Sequence, residues 1–192
     1  PTINFNFFDT KISQSTSFPY YFVISEDKEM LLTPTINYGG GVDASQRIVG
    51  EYDHLISGGA INIKMSTDTN FENNNNENWL RDASIITTFN KNLNEKFKIN
   101  LDSAFQTSPT YLRRTDQNNI LNRKTSLSTS VNLDGYYLRK IDDHLNINVS
   151  GYQIVKNNED NKTTPTTFPY IKYSTGTNTI NETNYNQDIG FY

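Results

Sequence analysis

Residues 97–106, FKINLDSAFQ, alternate apolar and polar side chains: Phe97, Ile99, Leu101 and Phe105 share one face of an extended chain, Lys98, Asn100, Asp102 and Gln106 the other. A strand repeats every two residues and a helix every 3.6, so this pattern fits a β-strand with one apolar and one wet face. Residues 59–65 repeat it, with Ile61, Ile63 and Met65 opposite Ala60, Asn62 and Lys64. In residues 145–150, Leu145, Ile147 and Val149 oppose Asn146, Asn148 and Ser150. Residues 125–133 and 46–56 carry the same signature, and no stretch shows a helical stripe. The expected fold is all-β.

The connectors alternate in length. Short links fall at 25–28, 57–59, 91–94 and 141–143, and long polar ones at 9–15, 39–45, 66–78, 107–119 and 157–165. An antiparallel up-and-down transmembrane barrel has this asymmetry, with tight turns at one rim and loops at the other. Segmentation gives about eleven strands: 2–8, 16–25, 28–38, 46–56, 59–66, 79–90, 95–106, 120–138, 144–156, 166–174 and 183–192. Outer-membrane barrels of single bacterial chains have even strand numbers. An open edge in lipid leaves backbone groups unsatisfied, so the expectation is an incomplete portion of a larger barrel. Residues 1–192 are read as one domain portion, without a second domain.

On the barrel reading the apolar positions Ile61, Ile63, Phe97, Ile99, Leu101, Leu145, Ile147 and Val149 face lipid. Lys64, Lys98, Asn100, Asp102, Asn146 and Asn148 line the lumen. Composition agrees with this arrangement better than with disorder: 192 residues with 12% aromatic content, 12 Tyr and 11 Phe, exceed what a disordered polar chain carries. A hydrophobic content of 34% is low because only every second barrel position is apolar. The net charge of -4, with scattered Lys and Arg, offers no basic footprint for nucleic acid. The absence of Cys removes disulfides, thiol nucleophiles and thiolate metal sites. The chain starts at Pro1 with no signal peptide, and the expectation is an internal piece of a longer exported precursor.

Residues 18–38, FPYYFVISEDKEMLLTPTINY, place two aromatic and apolar runs around a polar turn at 25–28, which reads as a hairpin. Its prolines, Pro19 and Pro34, cannot donate to a ladder and point to weakened or edge pairing. The run PYY, the acidic turn and LLTPTINY, within residues 18–41, resemble the start of the barrel in the LptD family of lipopolysaccharide-assembly outer-membrane proteins. The resemblance implies lipopolysaccharide transport and insertion into the outer leaflet of a Gram-negative outer membrane. It also implies a lateral gate in the opening strands, with Pro1, Pro19 and Pro34 as its candidates. Lipopolysaccharide, membrane lipid, the LptE lipoprotein plug and the periplasmic Lpt bridge proteins are the partners it implies. Nothing in the chain corresponds to the periplasmic domain of that family, and its interdomain disulfides have no cysteines here.

No catalytic constellation emerges, so the chain is expected not to be an enzyme and to need no cofactor or metal. His54 and His144 lie near strand ends and read as interfacial side chains, and no nucleophile elbow accompanies them. Gly39, Gly40 and Gly41 lack the Lys-Ser/Thr of a phosphate loop. Asp142, Asp143, Glu159 and Asp160 lack calcium-loop spacing. The rival readings are a general porin or receptor barrel, which would lack the proline-bearing opening strands, and a β-rich surface adhesin, which would lack an apolar belt.

Overall fold

The computed structural model describes residues 4–7, 14–38, 45–70, 82–109, 111–112, 121, 124–138, 143–155, 167–175, 178–180, 183–185 and 187–191. The strands are β1 (Asn4–Phe7), β2 (Gln14–Ser17), β3 (Tyr20–Ser25), β4 (Lys28–Tyr38), β5 (Ser45–Ile56), β6 (Gly59–Asn70) and β7 (Asp82–Asn92). They continue as β8 (Phe97–Gln106), β9 (Ser126–Tyr136), β10 (His144–Ile154), β11 (Thr167–Ser174), β12 (Asn178–Ile180), β13 (Thr183–Tyr185) and β14 (Asp188–Phe191). One sheet runs β1-β2-β4-β5-β6-β7-β8-β9-β10-β11-β14, with β3 also on β4, and every pairing is antiparallel. β1 and β14 are its edges, and they do not pair with each other.

This is the up-and-down order that the connector pattern predicts, with eleven strand positions along the sheet. The expected strand over 16–25 is interrupted. Ser17 faces Thr35 and Tyr20 faces Leu32, so β2 and β3 follow one register along β4, and only Phe18 and Pro19 leave the strand conformation. The expected strand over 120–138 is shorter: β9 begins at Ser126, and the link to β10 spans 137–143 rather than 141–143. The polar run before Ser126 has no alternation to hold it in the sheet. The expected strand over 183–192 is divided between β13 and β14, and β12–β13 form a separate two-stranded ribbon between β11 and β14.

Local chemistry sets the tight turns. Ser57 and Gly58 join β5 to β6, and Gly58 has φ of 75°, which a side chain would strain. Asn94 closes the β7–β8 turn as its Oδ1 accepts from the Lys96 and Phe97 amides at 2.8 and 2.9 Å. Ser25 donates to Asp27 Oδ1 at 2.6 Å in the β3–β4 turn. Gly135 leaves room for its cross-strand partner Phe97, whose ring carbon would lie 2.8 Å from a Cβ there.

Burial is reversed relative to an ordinary soluble sheet. The buried apolar side chains among the described residues are Ala104, Tyr111, Leu112, Leu127 and Val155, a small cluster at one end. Thr35, Asp68, Asp82, Ser84, Gln106, Asp134 and Ser150 are buried as well, while Met65, Phe105 and Val149 are 55%, 49% and 45% exposed.

Candidate functional site

Cross-strand register sorts the side chains into two faces, because residues directly opposite each other in a ladder point the same way. Ile61 pairs with Phe89, Phe89 with Leu101, Leu101 with Val131, and Val131 with Val149, so one apolar face extends from β6 to β10. Ile63, Phe97, Ile99, Leu145 and Ile147 lie on it too. Lys64, Lys98, Asn100, Asp102, Asn146 and Asn148 lie on the opposite face. Polar atoms on the apolar face satisfy each other where they can: Ser103 and Thr129 share a hydroxyl hydrogen bond of 2.9 Å.

The polar face holds a network that joins three strands. Asp134, 8% exposed, accepts from Asn146 Nδ2 at 2.8 Å, from Asn100 Nδ2 at 3.4 Å, and from Asn132 Nδ2. His144 Nε2 lies 3.2 Å from Asp134 Oδ1, the oxygen that Asn146 also reaches, and stacks on Tyr136 with ring centroids 4.9 Å apart. A carboxylate this buried stays in place because several donors replace the water it gives up. Arg47 and Asp68 pair at 2.9 Å toward the other end of the same face.

At that end a connector folds over the polar face. Tyr111 is fully buried, beside Ser66, Asp68, Arg47 and Asp82, and desolvation pushes its phenol up to about 12. Gln106 pins this segment: its Nε2 donates to Pro109 C=O at 2.9 Å, and its Oε1 accepts from the Leu112 amide at 3.0 Å. Gln153 supports Gln106 in turn, its Oε1 accepting from the Gln106 amide at 3.0 Å and its Nε2 donating to the Gln106 carbonyl at 2.6 Å. That side-chain amide takes the place of a ladder strand where β8 and β9 stop pairing, beyond Ser103 and Thr129. Sequence reading singled out none of Gln106, Tyr111, Asp134 and Gln153 as a site residue.

The prolines of the opening hairpin meet across the sheet. Phe18 donates its amide to Pro34 C=O at 2.9 Å, and the reciprocal bond of this pair needs an N–H that Pro34 lacks. Pro19, one residue on, directs its backbone away from β4 and offers no donor there. Pro34 also pairs with Ile48 of β5 in an unshifted register, so the loss falls only on the outer side of β4. The outer side of β4 is therefore one ladder donor short opposite Phe18. Pro1 lies outside the described residues.

His54 faces Asp27 of the β3–β4 turn at 3.3 Å, and the Leu55 amide donates to Asp27 C=O at 2.8 Å. The Ser25 hydroxyl bonded to Asp27 holds its carboxyl below the usual carboxylate range. Both histidines therefore make rim contacts to an aspartate. No group of His, Asp and Glu among the described residues is placed to hold a metal ion. Gly39, Gly40, Gly41, Asp142, Glu159 and Asp160 lie outside the described residues, and Asp143 is buried, accepting from Tyr173 Oη at 2.8 Å.

No protein-family model matches the chain, and no curated protein matches its sequence at a significant level. Its description rests on the two faces and the proline seam.

Proposed function

We propose that the chain is a portion of an outer-membrane β-barrel that passes lipopolysaccharide into the outer leaflet through an opening at β1–β4. The observation that carries the barrel is the reversed burial: a continuous apolar face is half-buried to exposed, with Met65, Phe105, Val131 and Val149 exposed, while carboxylates and hydroxyls on the other face are buried. Soluble monomers rarely expose contiguous apolar surface on this scale, whereas a transmembrane barrel turns such a face to acyl chains. β4 to β10 have 10 to 12 residues each, the length that crosses a bilayer core when tilted. Among the described residues no helix is long and apolar enough to cross a membrane, which leaves the strands as the spanning elements of this reading.

The opening is supported by Pro34, which leaves the outer side of β4 a donor short opposite Phe18, and by Pro19 beside it, which has no N–H to donate, where the resemblance of residues 18–41 to LptD-type barrels sets a lateral gate. The lipid-facing set (Ile61, Ile63, Phe97, Ile99, Leu101, Leu145, Ile147, Val149) meets acyl chains, and Lys64, Lys98, Asn100, Asp102, Asn146 and Asn148 face the hydrated saccharide. The LptE plug and the periplasmic Lpt bridge proteins are partners on the same reading, which is transport and not catalysis.

The test is the double substitution Pro19→Ala with Pro34→Ala in the complete protein. Surface lipopolysaccharide should fall and sensitivity to bulky hydrophobic compounds should rise, while heat-modifiable gel mobility reports an intact barrel. Undiminished export in a folded double variant removes the gate and leaves a general porin or receptor barrel as the reading.

A further inference from the structure

The alternation that keeps apolar side chains off the polar face is broken near its loop end. Ile86 of β7 pairs with Lys64 on one side and Ala104 on the other, so it stands on the polar face, and the small Ala104 beside it leaves a notch. Leu112 fills that notch: it is buried in one cluster with Ala104, Leu127 and Val155, against which Ile86 and Leu121 also pack. Tyr111, the residue before it, is buried beside Arg47 of β5, Ser66 and Asp68 of β6 and Asp82 of β7. The β8–β9 connector is thus anchored on the face both as it leaves, at Tyr111 and Leu112, and as it returns, at Leu121. Gln106 fixes its position at the point of departure, through its bonds to the Pro109 carbonyl at 2.9 Å and the Leu112 amide at 3.0 Å. Between them these contacts run from β5 to the end of β10.

We propose that this segment is a constriction strap, which narrows the loop end of the lumen and bars small hydrophilic solutes from it. A backbone held on a sheet through its side chains stands about 10 Å above it, the spacing of stacked β layers, and takes that depth from a water-filled passage. Withdrawal of a leucine and a phenol ring from water draws the connector inward, where a wholly polar loop would stay in solvent. The side-chain amide of Gln106 then satisfies backbone groups of the segment that no ladder reaches. The apolar belt takes no part, so the strap acts on what crosses the lumen and not on how the sheet sits in lipid. The inference goes beyond the transport reading but rests on its lumen.

The test is ion conductance of the complete protein in planar lipid bilayers, compared with Tyr111→Ser together with Leu112→Ser. The double variant should raise single-channel conductance about two-fold or more, because ion flow follows the open width of a passage, and Thr125→Ala, an exposed position of the same connector, should leave it unchanged. Unchanged conductance in the folded double variant, or an equal rise with Thr125→Ala, overturns the strap. Where the double variant lacks heat-modifiable gel mobility, Gln106→Ala, which removes both bonds to the segment and keeps its apolar side chains, is read by the same two results. Lipid-borne quenching of probes at Ile99 and Ile147 in the same preparations tests the barrel separately. Quenching there with unchanged conductance removes the strap alone, and its absence removes the lumen on which the strap rests.

Discussion

The opening edge and the middle of the sheet differ in pattern and in pairing: β3 is a run of consecutive apolar residues, whereas the middle strands alternate. β5 and β6 pair without a shift from Ser45 opposite Asn70 to Ile56 opposite Gly59, and β6–β7 and β7–β8 are equally regular. At the edge, β1 pairs with β2 only from Asn4 opposite Ser17 to Phe7 opposite Gln14, and β2 and β3 part at Phe18 and Pro19. β3 then runs on with Tyr20, Tyr21, Phe22, Val23 and Ile24 all exposed. The comparison teaches that the hydrophobic pattern fixes which face a strand shows, while donor count fixes how firmly it is held. A sheet can therefore keep its apolar face intact and still carry a weak line.

The largest effect that would break this comparison is a charge on the apolar face of the middle. Leu101→Arg or Ile147→Arg should cost about 2 to 4 kcal/mol in equilibrium unfolding from a bilayer, with Asn100→Arg or Asn148→Arg nearly neutral. Equal costs on both faces would mean a two-sided packed core. Next comes a transplanted defect: Ile63→Pro in the unbroken β6 should cost about 1 to 3 kcal/mol, because a buried carbonyl loses its partner. The reciprocal repair at the edge is smaller. Pro19→Ala and Pro34→Ala should each strengthen the opening strands by about 0.5 to 1.5 kcal/mol, read as slower amide exchange in β2 and β3 only.

Two pH effects should be smaller still. The Tyr111 phenol is raised in the folded chain, so its docking contributes stability that is fully present below the ordinary tyrosine value of 10.0 and is lost as pH rises through about 12. Spectrophotometric titration should show a late-ionising phenol that is lost in Tyr111→Phe and moves toward 10.0 when Gln106→Ala releases the segment. A Tyr111 phenol, read as the difference from Tyr111→Phe, that ionises at 10.0 in the unaltered protein would contradict the buried position. Asp27 is lowered by its Ser25 partner, so its contribution holds above the ordinary value of 3.8 and fades as pH falls through the lower folded value. Ser25→Ala should shift that loss to higher pH with little effect on the middle strands.

The faces were legible in the sequence because a period of two needs only one strand to declare itself: FKINLDSAFQ assigns Phe97 and Asn100 to opposite sides without knowledge of any neighbour. The connector parity gave the strand order in the same way. What a single strand does not carry is register. The Asp134 network arises only when β8 to β10 are aligned side by side, and the aspartate alone looked like any polar strand residue. The Tyr111 segment follows no period, and nothing in residues 107–125 marks it as folded back. The break at Phe18 and Pro19 was half visible: the prolines announced weak pairing, but that the donor missing at Pro34 falls beside this break depends on Phe18 lying opposite Pro34.

The chain contains no cysteine, so a thiol introduced at any position is unique within it. Single cysteines at each position from 97 to 106, in protein reconstituted into liposomes and labelled with a fluorophore, test the central claim that the apolar face meets lipid. Quenching by lipid-borne nitroxides should peak at Phe97, Ile99, Leu101 and Phe105, and quenching by a water-soluble agent at Lys98, Asn100 and Asp102. A scan without period two, or one with its maxima on the polar positions, would contradict the account.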